Sequence, residues 1–262
     1  MHKILVTGGA GYIGSVLSQL LLTRNYEVII LDDFRYNQNV NHLCYLDNSE
    51  IIKGDVRDEN LIRSLMSRVD TIIPLAALVG FPICKADPWN AETINKDAIL
   101  KILKYKSKDQ RIIMPTTNSA YGSGLELNGD STVNNYCDEN SPLNPISKYA
   151  KDKVFVEQEL MQHENVISLR LATVMGMSSR MRMDLLVNQF VYRALADKSI
   201  VLFEGHFKRN YIHVRDVALA FLHILSLFDK VKNEIYNVGL SEANLSKYEL
   251  CLKIKEHVNR LS

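Results

Sequence analysis

The chain has 262 residues, 47% of them hydrophobic and 23% charged, and its 31 Lys plus Arg against 30 Asp plus Glu leave a formal charge of +1. These proportions exclude a disordered or fibrous chain, and the even charge balance gives no electrostatic reason to expect a nucleic acid or an acidic membrane as partner. A chain of this length buries enough surface to fold without a disulfide or a structural metal. The cysteines Cys44, Cys84, Cys137 and Cys251 are scattered and form no Cys-x-x-Cys pair, so neither a zinc site nor a disulfide framework is expected. The longest apolar stretch, Val217–Phe228, is interrupted by His223 and Ser226 and is too short to cross a bilayer. The opening Met-His-Lys-Ile-Leu-Val has neither the apolar block nor the cleavage site of a signal peptide, so a cytoplasmic location is expected.

Short β-rich runs at Ile4–Val6, Val28–Leu31, Glu50–Lys53, Thr71–Leu75, Arg111–Pro115 and Val166–Leu171 are separated by segments of helical period. In the first such segment Ile13, Val16, Leu17, Leu20 and Leu21 recur at helical spacing, with Ser15, Ser18 and Gln19 elsewhere on the circumference. Strands alternating with helices imply parallel βαβ units, hence an α/β fold with an open, doubly wound parallel sheet over residues 1–175. Ser123–Pro142, rich in Gly, Asn, Asp and Ser, breaks the rhythm and reads as a functional lid in preference to a disordered segment. After Gly176 the alternation weakens, so residues 176–262 are expected to form a smaller, substrate-binding lobe. Its expected elements are helices at Asp184–Leu195, Asp216–Leu227 and Tyr248–Leu261 and strands at Ile200–Phe203 and Ile235–Val238, the last returning to the main sheet. Leu252, Lys255, Val258 and Leu261 would set the partly apolar face of the final helix.

Thr7-Gly8-Gly9-Ala10-Gly11-Tyr12-Ile13-Gly14 joins the first strand to the first helix. Gly8 permits the tight turn, Gly11 removes a Cβ where a pyrophosphate would approach, and Gly14 allows close helix–sheet packing, while the helix N-terminus offers unpaired N–H groups to phosphate. Such a loop can also be a turn without a ligand. The second strand decides: Val28–Leu31 ends in Asp32-Asp33, near the separation at which a carboxylate meets the adenosine ribose of a dinucleotide. A carboxylate repels a 2′-phosphate, and no Arg follows it immediately (Arg35 is nearby), so NAD is expected rather than NADP on a Rossmann-type sheet. No Gly-Lys-Ser/Thr follows the glycines, which excludes a Walker phosphate loop.

Tyr149 and Lys153 lie four residues apart in a helix expected after Pro145, and so share a face. An ammonium near a phenol favours the phenolate and lowers its pKa. The fifth strand runs into Thr116-Thr117-Asn118-Ser119-Ala120-Tyr121-Gly122 at the carboxyl edge of the sheet, where such folds bind ligands. A hydroxyl there could bond the oxygen that Tyr149 deprotonates, or could only stabilise a turn.

Together these residues resemble the extended short-chain dehydrogenase/reductase family, in particular its NAD-dependent nucleotide-sugar epimerases and dehydratases. The landmarks are Thr7–Gly14, Asp32, Gly54-Asp55-Val56, Leu75-Ala76-Ala77, Asn95, Thr117–Gly122, Tyr149 with Lys153, Leu169-Arg170 and Arg209–Val214. The resemblance implies Tyr149 as general base, Lys153 as its tuner and ligand of the nicotinamide ribose, and Thr117 as the active-site hydroxyl. It implies a cofactor set of Gly8, Gly11, Tyr12, Ile13, Gly14, Asp32, Asp55, Val56, Leu75, Ala76, Ala77, Asn95, Tyr149 and Lys153. The implied substrate set is Thr117, Asn118, Ser119, Tyr149, Asn188 and Arg209, with Arg209 gripping the diphosphate, and no metal ligand.

Several positions depart from the family pattern. Asn118 and Ser119 stand where 4,6-dehydratases carry Asp-Glu, and neither is a competent acid near neutrality, so elimination of water is disfavoured. Val79 replaces a cofactor-contacting Lys, and Thr173 replaces an Asn of UDP-glucose enzymes. Pro74–Gly80, Thr117–Gly122 and Arg182–Asn188 also look like a subgroup that includes GDP-heptose C4-oxidising enzymes. Relatives usually continue beyond the last helix, which implies either a more open pocket here or a truncated chain. The expected function is that of an NAD-dependent nucleotide-sugar epimerase or dehydrogenase oxidising a sugar hydroxyl at C4. The alternative is a non-catalytic NAD-binding sensor or assembly protein. Relatives pair through two long helices, here Trp89–Lys106 and Pro145–His163, so a homodimer is implied.

Overall fold

In β1 (Lys3–Thr7), Ile4 and Val6 point to one side of the sheet and Leu5 to the other, and all three are fully buried. Both faces of the strand must therefore be covered, the condition that makes a parallel sheet hydrophobic throughout. The same division recurs at β2 (Glu27–Asp32), where Val28 and Ile30 oppose Ile29 and Leu31, and at β4 (Thr71–Pro74) and β5 (Arg111–Thr117). The computed structural model describes residues 2–37, 41–44, 46–122 and 137–259.

Among the described residues seven strands form one parallel sheet in the order β3-β2-β1-β4-β5-β6-β9, with β3 at Ser49–Lys53, β6 at Val166–Leu171 and β9 at Glu234–Val238. On one face lie α1 (Tyr12–Thr23), α9 (Val214–Ser226) and α10 (Phe228–Val231), with Leu17, Leu21, Val217, Phe221 and Phe228 in the core. On the other lie α3 (Glu59–Met66), α6 (Ala98–Tyr105) and α7 (Lys148–Leu160), packed through Ile62, Leu65, Ile99, Ile102, Val156 and Leu160. A short α2 (Asn41–Cys44) precedes β3. The sheet is the expected doubly wound α/β arrangement, and its strand order reverses between β1 and β4, which opens a crevice at the carboxyl ends.

After β4 the chain forms α4 (Phe81–Ala86), α5 (Pro88–Glu92) and a π-helical turn at Thr93–Asp97 that runs into α6. The expected long helix Trp89–Lys106 is thus interrupted by a wider turn, a feature frequent at functional sites. After β6 come β7 (Thr173–Met175), α8 (Leu186–Ala196) and β8 (Lys208–His213), then, beyond β9, β10 (Asn244–Ser246) and α11 (Lys247–Asn259). A second sheet orders β10-β8-β7, and a separate apolar cluster of Val187, Phe190, Tyr211, Leu250 and Ile254 holds it to α8 and α11.

Two expectations are corrected, and α1 carries buried serines besides. Ile200–Phe203 is not a strand: Val201 and Phe203 are 74% and 75% exposed, with no neighbouring strand to pair with among the described residues, and β8 forms the central strand of the small sheet instead. Ser15 and Ser18, which lie off the apolar positions of α1, are nevertheless fully buried. Ser18 Oγ donates to the Gly9 carbonyl at 3.4 Å, and Ser15 Oγ shares a hydrogen bond of 2.9 Å with Ser178 Oγ; helical period alone cannot see those polar neighbours. The inner face of α11 is Leu250 and Ile254, flanked by Cys251 and Val258, while Leu252 is 49% exposed. Leu261 and most of the expected lid, 123–136, lie outside the described residues.

Candidate active site

Gly8 ends β1 with φ of +68°, and a Cβ there would lie 2.6 Å from the Ala76 nitrogen. The loops after β1 and β4 therefore touch backbone to backbone, and only glycine fits. A Cβ on Gly14 would lie 2.2 Å from the Gly8 carbonyl oxygen, so this glycine packs α1 against the loop itself rather than against the sheet. Gly11 would meet only the Gly8 carbonyl, at 3.0 Å for its oxygen, and otherwise faces the crevice. It also starts α1 without a side-chain cap, leaving first-turn amides to face an anion.

Asp32 closes β2 beside this loop. One carboxylate oxygen accepts the Ala10 amide at 3.1 Å and the other the Phe34 amide at 2.9 Å; burial raises the pKa and those two amides oppose the rise. A carboxylate has about four acceptor sites in all, enough to take ribose hydroxyls as well. Arg35, the nearest candidate for a 2′-phosphate, is bound to Asp33 through its side chain. Asp55 is likewise held by Arg57, which lowers its pKa.

These residues line one end of a cleft of about 1070 Å³, which continues past Val56, Leu75, Ala76 and Ala77 to Thr117, Asn118, Ser119, Tyr149 and Lys153, with Arg209 on its rim. The size suits a dinucleotide with a further ligand, and the glycine cradle together with Asp32 fits the NAD expected of the sequence. The structure brings together all but two of the expected site residues. Asn95, fully buried in the π-helical turn, accepts the Leu78 amide at 2.8 Å and donates to the Leu78 carbonyl at 2.9 Å. It shapes the loop after β4 from behind. Asn188 accepts the Gly176 amide at 3.0 Å and donates to the Arg182 carbonyl at 2.9 Å, bracing the chain that follows β7.

At the other end of the cleft, Ser147 caps α7 by accepting the Ala150 amide, so Tyr149 stands in the first helical turn, partly buried. Burial and the nearby Cys84 push its pKa up to about 12, while Arg182 pulls the other way. Lys153 is 3% exposed, its pKa is lowered to about 8 by burial, and its Nζ donates to the Pro115 carbonyl at 3.3 Å. Arg182, itself paired with Asp184, therefore acts on the phenol as well, which the Tyr-x-x-x-Lys pattern does not reveal. Its only sequence signal is the basic pair Arg180 and Arg182 in the connection between β7 and α8. Thr117 Oγ1 accepts the Ser119 amide at 3.1 Å, capping a short 3₁₀ turn at Asn118–Tyr121. Among the described residues its hydroxyl proton has no acceptor, which leaves it to a ligand.

Directly behind Thr117, Thr116 faces α7, where Glu157 accepts the hydroxyls of Thr116 at 2.8 Å and Ser168 at 2.6 Å and pairs with Arg170 at 2.6 Å. Both members of the pair are 3% exposed. Arg170 also donates to Tyr121 Oη at 2.8 Å and to the Glu139 carbonyl at 3.1 Å. The network fixes the end of β5, α7 and the turn around Glu139 to one another. Among the described residues no cluster of His, Cys, Asp and Glu could hold a metal ion, and no helix is long and apolar enough to cross a membrane.

The model of the NAD dependent epimerase/dehydratase family matches residues 4–239. A putative UDP-glucose 4-epimerase of Methanocaldococcus jannaschii is 30% identical over 247 residues, covering 90% of this chain and 76% of that protein. Two solved structures match over 98% of this chain. UDP-glucose 4-epimerase of Thermotoga maritima with UDP-glucose gives a TM-score of 0.80 at 26% identity over 82% of its chain. The Thermus thermophilus UDP-glucose 4-epimerase in complex with NAD gives 0.77 at 25% identity over 83% of its chain.

Proposed function

Because the chain belongs to the NAD dependent epimerase/dehydratase family, we propose that it is an NAD-dependent nucleotide-sugar epimerase or dehydrogenase that oxidises a sugar hydroxyl at C4. The observation that carries this reading is that Tyr149, Thr117 and Lys153 line the same cleft as the glycine loop and Asp32. The likeness to UDP-glucose 4-epimerases supports it.

NAD, when bound, supplies the hydride acceptor and a positively charged ring. Tyr149 Oη takes the proton of the sugar hydroxyl as a phenolate, and Thr117 Oγ1 donates to the same oxygen. With its pKa pushed up to about 12, Tyr149 by itself is a phenol near neutrality. Its activation therefore depends on positive charge gathered as the cleft fills, to which Arg182 contributes and Lys153 adds from the next turn of α7. Asp32 orients the adenosine ribose, Lys153 the nicotinamide ribose, and Arg209 the substrate diphosphate. Asn95 and Asn188 position the walls rather than touch the ligands. Asn118 and Ser119, on the cleft wall after Thr117, offer no acid for the departure of a hydroxyl, which disfavours a 4,6-dehydratase. Two copies pair through the outer faces of α5, α6 and α7, which expose Trp89 and Phe155, and the protein works in the cytoplasm.

The test is to offer purified protein UDP-, GDP- and dTDP-sugars. Inverted sugar without lasting NADH identifies an epimerase, and accumulating NADH with keto-sugar identifies a dehydrogenase. Tyr149→Phe is expected to lower turnover by about 10²–10⁴-fold while leaving NAD affinity nearly intact. Unchanged turnover in that variant removes Tyr149 as the base.

A further inference from the structure

The segment 176–184 crosses the cleft. It leaves β7 at Gly176, where φ is +107° and a Cβ would lie 2.2 Å from the His213 ring, so the chain turns where only glycine can stand. It is then pinned to the start of α1: Tyr12 Oη donates to the Gly176 carbonyl at 2.7 Å, and Ser178 Oγ donates to the Tyr12 carbonyl at 2.7 Å. From that anchor two arginines reach in different directions. The Arg180 guanidinium lies 4.0 Å from the centroid of the Tyr36 ring, just past the end of β2. Arg182 Nη2 donates to the Val79 carbonyl, past the end of β4, at 3.3 Å. One segment thus ties together the ends of β1, β2 and β4, three of the strands whose ends line the cleft.

We propose that Arg180 and Tyr36 form a clasp that retains the coenzyme through turnover. The proposal rests on the reading of this cleft as an NAD site. Tyr36 is 46% exposed, so the contact sits at the rim, where it can open without disturbing the core. A planar cation on an aromatic face is a good latch because it is attractive yet involves no deeply buried charge. Retention is what a redox-neutral reaction requires, since one coenzyme molecule must serve both the oxidation and the reduction of a sugar. The clasp therefore favours epimerisation over net oxidation within the proposed function.

The test is the rate at which bound NADH, followed by its fluorescence, leaves the full-length protein when displaced by excess NAD. Arg180→Ala and Tyr36→Leu are each expected to accelerate release on the order of tenfold, and the double variant to be no faster than either single one. Tyr36→Phe, which keeps the ring face, is expected to release NADH as the natural chain does. Release unchanged in both single variants overturns the clasp, as do additive effects in the double variant. So does full rescue by Arg180→Lys with no effect of Tyr36→Leu, which would mean that Arg180 acts by charge alone. In those cases the NAD site stands. If the natural chain binds no NADH, the site reading fails and the clasp fails with it.

Discussion

Replacing Lys153 by methionine isolates the cost of burying an ammonium beneath the cleft. Burial lowers the pKa of Lys153 to about 8 from an ordinary 10.5. Between those values the unfolded chain binds a proton that the folded chain has released, so this group makes the natural protein more stable as pH rises from about 8 towards 10.5. Near neutral pH the folded chain carries the full cost, about 3 kcal/mol. Methionine has nearly the same length and no charge, and it gives up only the hydrogen bond to the Pro115 carbonyl, worth about 1 kcal/mol. Without added coenzyme the variant should therefore be more stable by about 2 kcal/mol near pH 7, a rise in Tm of roughly 5 °C. By about pH 9.5 the advantage should shrink almost to nothing. Urea unfolding at the two pH values measures both numbers. A variant less stable than the natural chain near pH 7, or a difference independent of pH, would refute the idea that this lysine is held at a cost. NADH affinity is expected to fall in the same variant if Lys153 holds the nicotinamide ribose as proposed.

Three other perturbations probe the loop, the network behind Thr117 and the apolar cluster beside the second sheet. Gly14→Ala places a methyl 2.2 Å from the Gly8 carbonyl; the loop must move, costing about 2 kcal/mol and at least tenfold in NADH affinity, on the order expected when a pyrophosphate cradle shifts. Fluorescence titration and a thermal melt check both. Glu157→Gln leaves Arg170 buried without its anion and should destabilise by about 3 kcal/mol, while the double change to methionine at both positions recovers much of that in urea unfolding. Tyr211 Oη is buried with no partner among the described residues, so Tyr211→Phe should leave stability unchanged or raise it by about 1 kcal/mol; a loss of that size in the melt would reveal a hidden acceptor.

Ile4 to Val6, Val28 to Leu31 and Val166 to Leu171 were legible as buried strands because a parallel sheet needs apolar side chains on both faces, a demand written locally in each run. The glycine loop and Asp32 were legible for the same kind of reason. Close backbone approach excludes any Cβ, and a carboxylate at the end of the next strand needs only a fixed count of residues to reach the same crevice. Ile200–Phe203 misled because β-rich composition says nothing about whether another strand lies alongside. Period separates Ser15 and Ser18 from the apolar positions of α1 but does not show that they are buried against Ser178 and Gly9.

By itself the amino-acid sequence determined the layered α/β fold and the dinucleotide cradle, since each follows from period, glycine placement or spacing within a few turns of chain, while most of the other cleft residues were expected only from the family resemblance. Only the tertiary structure decided how strongly burial acts on Tyr149 and Lys153, that Arg182 opposes it at Tyr149, and that Arg180 meets Tyr36 across the cleft. Desolvation and charge–charge contact depend on neighbours many tens of residues away in sequence, and no local pattern carries that distance.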